Sequence, residues 1–182
     1  MPPIPARDSI VQTHLDDKDL ACLVVKMRII GIAVIPGNPP DSVYHFHVSL
    51  VFANQKSIRL NLNPYLLENS PIVTRGQLAV ESESSPYPTE PHVISWECNL
   101  SAPLPAGRIL DFILEDRKRY QYEFDRNGEG CRFWSEVILW DLIDLQAVDS
   151  IALSNFNAWE KEQKTKQGDR IPDPRPQGTF YE

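Results

Sequence analysis

The chain has 182 residues and a net charge of −7, from 18 basic and 25 acidic side chains. That length suits one domain with a real core and is short for two, and an acidic chain without a basic block argues against nucleic acid or an anionic membrane as partner. No run approaches the ~18 apolar residues of a spanning helix, MPPIPARDSI lacks the layout of a signal peptide, and three irregularly spaced cysteines suggest neither a disulfide framework nor a zinc site, so the expected compartment is the cytoplasm.

Residues 1–9 hold three prolines and read as a flexible arm, with residues 10–182 as a single domain that ends in a Pro-rich tail. Cys22 to Ile35 is rich in Val and Ile and suits a buried strand. Pro36 to Ser42 is a turn by composition. The clearest alternation follows: Tyr44, Phe46, Val48, Leu50 and Phe52 point one way, and His45, His47 and Ser49 the other. Asn54-Gln55-Lys56 closes a hairpin. Its return strand puts Ile58, Leu60 and Leu62 on one face, with Ser57, Arg59, Asn61 and Asn63 on the other. Asn63 to Arg75 reads as irregular, and Gly76 to Ser82 as a strand. Ser82 to Pro91, with three prolines, reads as a mobile loop and candidate lid.

His92 to Leu100 predicts a strand, and Pro103 to Asp116 an amphipathic helix built on Ile109, Leu110, Ile113 and Leu114. Arg119 to Asp125 predicts a strand with Tyr120, Tyr122 and Phe124 on one face. After the Asn127-Gly128-Glu129-Gly130 turn comes GCRFWSEVILWDLIDL. Its wide apolar arc predicts a largely buried helix with Cys131 in the first turn. Ser150 to Lys166 predicts a last helix. The total is about six strands and three helices, with the strands mostly first, so the expected fold is α+β: a mainly antiparallel sheet packed on the Cys131 helix. The sheet's opposite face gathers His45, His47, Ser49, Arg59 and Asn61, and is either solvated or lines a second cavity.

Cys131 heads a helix and precedes Arg132, and both the helix dipole and a neighbouring cation favour a thiolate. A histidine strand early and a cysteine-headed helix late is similar to the order in permuted papain-like proteins, among them the NlpC/P60, retinol-acyltransferase-like and PPPDE groups. Those groups want a particular residue before the cysteine and a polar third member. Gly130 departs from the NC start of two of them, and no third member stands out. The alternation also puts His45 and His47 on the face away from the helix. The plain alternative is a buried structural thiol.

The HxH pair His45 and His47 lacks a third ligand for a metal. It is either hydrogen-bonded structure or a donor or general base in a pocket. Arg59 would sit near the pair as a solvated sheet residue or a pocket donor. The aromatics, Trp96, Tyr122 and Trp134 among them, are most simply core, with some bordering an apolar cavity. There is no phosphate loop, GxSxG elbow or HExxH, and no cofactor is expected.

The combination of YHFHVSLVF, RYQYEF, GCRFW and a GTFY ending resembles a family of small ascomycete proteins found in secondary-metabolite pathways, over roughly Cys22 to the end. Phe46 departs from that family's commoner His-Trp pairing. The resemblance implies a cofactor-free cyclase of an apolar terpenoid or polyketide intermediate, of the norbornene-forming Diels–Alder kind in sordarin biosynthesis. In that reading His45, His47 and Arg59 donate hydrogen bonds, and Ser49, Asn61, Trp96, Tyr122 and Trp134 line the pocket. A cysteine-dependent hydrolase or acyltransferase, with Cys131 as nucleophile and a histidine as base, is the second hypothesis. A non-catalytic binder of an apolar small molecule is the third. The expected partner is an apolar small molecule; a homodimer is left open.

Overall fold

The computed structural model describes residues 10–12, 15–33, 43–67, 70–84 and 93–181. The N-terminal arm, the Pro36–Ser42 turn, His14, His92 and most of the Ser82–Pro91 loop lie outside the described residues. The elements in chain order are β1 (Ile10–Gln12), α1 (Asp17–Leu20), β2 (Leu23–Ile32), β3 (His45–Phe52), β4 (Ser57–Leu67), β5 (Ser70–Glu83), β6 (Val93–Pro105) and α2 (Ala106–Asp111). A π-helical turn, Phe112–Asp116, continues α2. Then come β7 (Tyr122–Glu123), α3 (Cys131–Asp144), α4 (Ile151–Gln167), a 3-10 turn at Gly168–Arg170, and β8 (Thr179–Phe180).

The strands form one curled sheet in the order β6-β2-β3-β4-β5-β7-β8, antiparallel throughout, with β1 added parallel to β5. The fold is therefore a single α+β domain with a mainly antiparallel sheet. Its eight strands among the described residues exceed the expected six, because β1 and the tail strand β8 also pair. The run Asn63–Arg75 is not irregular. It is the closed end of a long hairpin in which β4 and β5 pair from Ser57 opposite Glu83 to Leu67 opposite Ser70. Conversely, the expected strand over Arg119–Asp125 shrinks to two paired residues, although Tyr120, Tyr122 and Phe124 are buried as their alternation demands. The expected helix start at Pro103 moves to Ala106, because β6 pairs with β2 as far as Pro105 opposite Leu23.

One sheet face carries Met27, Ile29, Val48, Leu50, Ile58, Leu60, Leu62, Leu78 and Val80, all fully buried. Trp134, Ile138 and Leu142 of α3 are buried in the same cluster, and Trp96 of β6 meets Phe156 of α4 edge-on with ring centres 5.2 Å apart. The helix is buried beyond its apolar arc. Asp141 is 1% exposed and takes two 2.7 Å hydrogen bonds from the Arg119 guanidinium. Trp140, expected in the core, is instead 46% exposed.

The hairpin β3–β4 contains the feature that builds the site. Phe52 donates its N–H to Lys56, so Phe52, Leu50, Val48 and, further back, Phe46 direct their N–H groups toward β4. The pairing runs only from Val51 opposite Ser57 to Val48 opposite Leu60, while β2 stays with β3 as far as His45 opposite Ile32. Beyond Val48 the two strands part. On β4 the same alternation would aim the N–H of residue 64 into the gap; that residue is Pro64, which has none.

Candidate functional site

Cys131 fills the gap. Its Sγ accepts the Phe46 N–H at 3.3 Å, taking the place of the missing ladder carbonyl. The His45 side chain and the Arg132 N–H also face the thiol, close enough to lower its pKa. His45 Nε2 in turn lies 2.6 Å from Asn61 Oδ1. Extending the register by one pair sets Asn61 opposite His47 and diagonal to His45, within reach of a long side chain. The three side chains form one chain of contacts: thiol, imidazole, amide. With Nε2 held by Asn61, Nδ1 is the nitrogen left for the thiol.

The electrostatics favour an ion pair. Burial alone would raise the Cys131 thiol, but the His45 hydrogen bond and charge, with the Phe46 and Arg132 N–H groups, outweigh it and hold the thiol below its ordinary range. Burial pulls His45 down, yet the bond to Cys131, the thiolate charge and the bond to Asn61 hold it above its ordinary range, against a small opposing effect of Arg59. His47 goes the other way. Burial, then the charges of His45 and Arg59, push it down to about 3, so it stays neutral.

Gly130 and the tail fix where α3 begins. Gly130 has φ 136°, and a Cβ there would lie 2.6 Å from the Tyr122 hydroxyl. The Tyr122 hydroxyl donates to the Gly130 carbonyl at 3.0 Å and accepts the Gly178 N–H at 2.8 Å. A Cβ on Gly178 would stand 2.1 Å from the Glu123 carbonyl oxygen, so both glycines are required. Phe180 packs edge-on to Tyr122 at 4.9 Å. Arg132 anchors the same corner: its guanidinium lies 3.2 Å from Glu160 and donates to the Pro172 carbonyl, while Arg175 pairs with Glu136 and Glu160.

A cavity of about 220 Å³ opens at this helix start, with Val43, Tyr44, His45, Phe46, Pro64 and Cys131 among its lining, and Pro172 and Pro176 of the tail on another side.

Residues 29–181 match the family described as a domain of unknown function (DUF7770). The chain belongs to that family. No curated protein and no solved structure matches it. The DUF7770 span contains His45, Asn61 and Cys131 together with the Tyr122 and Gly178 clamp, so the whole arrangement falls inside the family's domain. Its description carries no activity.

Of the residues singled out in the sequence, His45, Asn61 and Cys131 meet. His47 and Ser49 are buried on the face that carries His45. Arg59, on that same face, is drawn into ion pairs with Glu81 and with Glu83, the latter at 3.2 Å, next to a second ladder in which Arg28 and Lys26 hold Glu97. His47, Ser49, Arg59, Asn61, Trp96, Tyr122 and Trp134 are not in the lining of the cavity. Trp134 is fully buried and donates its indole N–H to the Arg119 carbonyl. Sequence reasoning gave Asn61 a pocket role and missed its partnership with His45. The available signal was its diagonal place across the hairpin. Among the described residues, no three His, Cys, Asp or Glu side chains could hold a metal ion, and no helix is long and apolar enough to cross a membrane.

Proposed function

We propose that this protein is a thiol-dependent hydrolase or acyltransferase in which Cys131 is the nucleophile, His45 the general base and acid, and Asn61 the residue that orients His45. The observation that carries this reading is the unbroken thiol–imidazole–amide chain at a helix N-terminus, opening on a cavity. A nucleophile, a base within hydrogen-bond reach and a third group holding the base are the parts that covalent acyl transfer needs. His45 precedes Cys131 in the chain, as in the permuted papain-like groups, and Asn61 takes the place of the polar third member. Gly130, the departure from their usual start, follows from the Tyr122 hydroxyl lying where a side chain would go.

In the first half-reaction the thiolate attacks an acyl carbon, and His45 gives its proton to the leaving group. In the second, His45 takes a proton from water or another acceptor, which attacks the acyl carbon and displaces the thiolate. The first intrahelical bond of α3 runs from the Trp134 N–H to the Gly130 carbonyl, so the N–H groups of Cys131 and Phe133 lie ahead of the ladder. They and the helix dipole supply positive potential where an oxyanion would develop.

The test is alkylation of the full chain with iodoacetamide across pH, read by peptide mapping. Cys131 should react at pH 6 to 7 faster than a free thiol of ordinary pKa, and its modification should block turnover. Slow reaction at Cys131 that rises only near pH 9 would refute the proposal. The cofactor-free cyclase implied by the ascomycete resemblance is a second reading, favoured by the apolar walls of the cavity. It requires that Cys131→Ser keep full turnover of a linear polyene precursor.

A further inference from the structure

The cavity beside Cys131 constrains what the nucleophile can take. Resting on the thiol reading, we propose that the substrates are esters or thioesters whose acyl part is an uncharged apolar group somewhat larger than a benzene ring, seated in the cavity at the start of α3. Three observations support this class.

The first is size. The cavity measures about 220 Å³. An apolar cavity of about 150 Å³ takes up benzene, so this one suits a phenylacetyl group or a chain of roughly six to eight carbons. The second is chemistry. The walls come from Tyr44, Phe46, Pro64, Pro172 and Pro176, which offer rings and methylenes.

The third is charge. The Arg132 guanidinium is turned to Glu160 and the Pro172 carbonyl. Any charge that Cys131 and His45 carry is paired within the site, each shifting the other toward its charged form. Glu129 is the acidic side chain of the lining and Arg132, already paired, its basic one, so a second carboxylate placed there would be desolvated beside Glu129 and would have to compete with Glu160 for Arg132. Val43, 37% exposed and part of the lining, stands at the mouth.

The reaction balances within the site. The Sγ–carbon bond forms as the carbon–oxygen or carbon–sulfur bond to the leaving group breaks. The His45 proton goes to the leaving group. Water then forms the new carbon–oxygen bond as the carbon–sulfur bond to Cys131 breaks and gives its proton to His45, releasing the carboxylic acid and restoring the thiolate.

The experiment uses the full chain with p-nitrophenyl esters of acetate, hexanoate, phenylacetate and succinate. It reads the p-nitrophenolate burst and the intact mass of the acyl-enzyme. Each buried methylene favours binding by roughly fourfold, so hexanoate and phenylacetate should acylate Cys131 at least about tenfold faster than acetate, and succinate more slowly than acetate. Val43→Trp, which narrows the mouth at an exposed position, should cut the phenylacetate-to-acetate ratio about tenfold. Acylation of Cys131 at equal rates by all four esters, or fastest by succinate, would overturn the substrate class and leave the thiol mechanism standing. No acylation by any ester would overturn both.

Discussion

Replacing Asn61 by alanine removes the acceptor 2.6 Å from His45 Nε2 and leaves the cysteine and the histidine in place. In the reactive state that acceptor serves a charged imidazolium, and hydrogen bonds to charged groups contribute about 1.5–3 kcal/mol. At one decade per 1.36 kcal/mol, the rate at Cys131 should fall roughly 10- to 100-fold. The pH profile should move as well. Asn61 is one of the groups holding His45 above its ordinary range, and His45 in turn holds Cys131 below its own. Without Asn61 the imidazolium loses its proton at lower pH, the thiolate loses its partner, and the thiol's pKa rises. The alkylation profile of Cys131 therefore shifts to higher pH. The assay is the iodoacetamide rate between pH 5 and 9 by peptide mapping, which counts Cys22 and Cys98 separately. Asn61→Asp, which keeps an acceptor, should recover most of the rate. An Asn61→Ala protein with the wild-type rate and profile, and an unchanged melting curve, would refute the orienting role.

Cys131→Ala should abolish acylation and also lower stability by about 1–3 kcal/mol, because the buried Phe46 N–H loses its acceptor; parallel melting curves and burst assays check both. Gly178→Ala forces a Cβ to within 2.1 Å of the Glu123 oxygen, so its melting temperature should drop by several degrees and Cys131 reactivity should fall with it. Arg119→Ala leaves the Asp141 carboxylate, 1% exposed, with the 3.7 Å contact to Arg117 as its remaining ion pair among the described residues, and should cost about 3–5 kcal/mol in urea unfolding. His47, with a folded pKa of about 3 against an ordinary 6.5, makes the protein acid-labile: the unfolded chain takes up a proton that the folded one refuses, so stability is lost as pH falls from 6.5 toward 3, and His47→Leu should flatten that limb of the urea midpoint. His45 acts in the opposite sense, its contribution being present below pH 6.5 and lost as pH rises through its raised folded pKa.

Much of the architecture was legible because burial follows periodicity. The period-two runs at Tyr44–Phe52 and Ile58–Leu62 gave a hairpin with its apolar face inward, and the wide arc of GCRFWSEVILWDLIDL gave the buried helix. Pattern failed where pairing replaced propensity. Asn63 to Arg75 contains Pro64, Arg75 and little alternation, yet it is held in a ladder by eleven successive residues of β4 paired with β5. The tail GTFY has no strand signal of its own and becomes β8 because Phe180 finds Tyr122. Arg59 looked like a pocket donor because its partners, Glu81 and Glu83, lie two strands' length away in sequence and reach it only once β5 has paired.

The site itself was hidden by a sound rule applied one step too far. Strict alternation puts His45 and Phe46 on opposite faces, so a helix packed on the Phe46 face should never meet His45. That holds for a helix lying across a continuous sheet. Here β3 and β4 part beyond Val48 and Leu60, and the head of α3 enters the gap between them. A group in the gap lies at the level of the sheet, where both faces are within reach. From there Cys131 Sγ takes the Phe46 backbone N–H and meets the His45 ring together. Pro64 marks the gap on one strand, Gly130 lets the helix begin tightly against Tyr122, and Tyr122 ties that beginning to the tail. The sequence holds each of these residues in plain sight. Their common purpose depends on where a strand pair stops, which periodicity within a single strand does not encode.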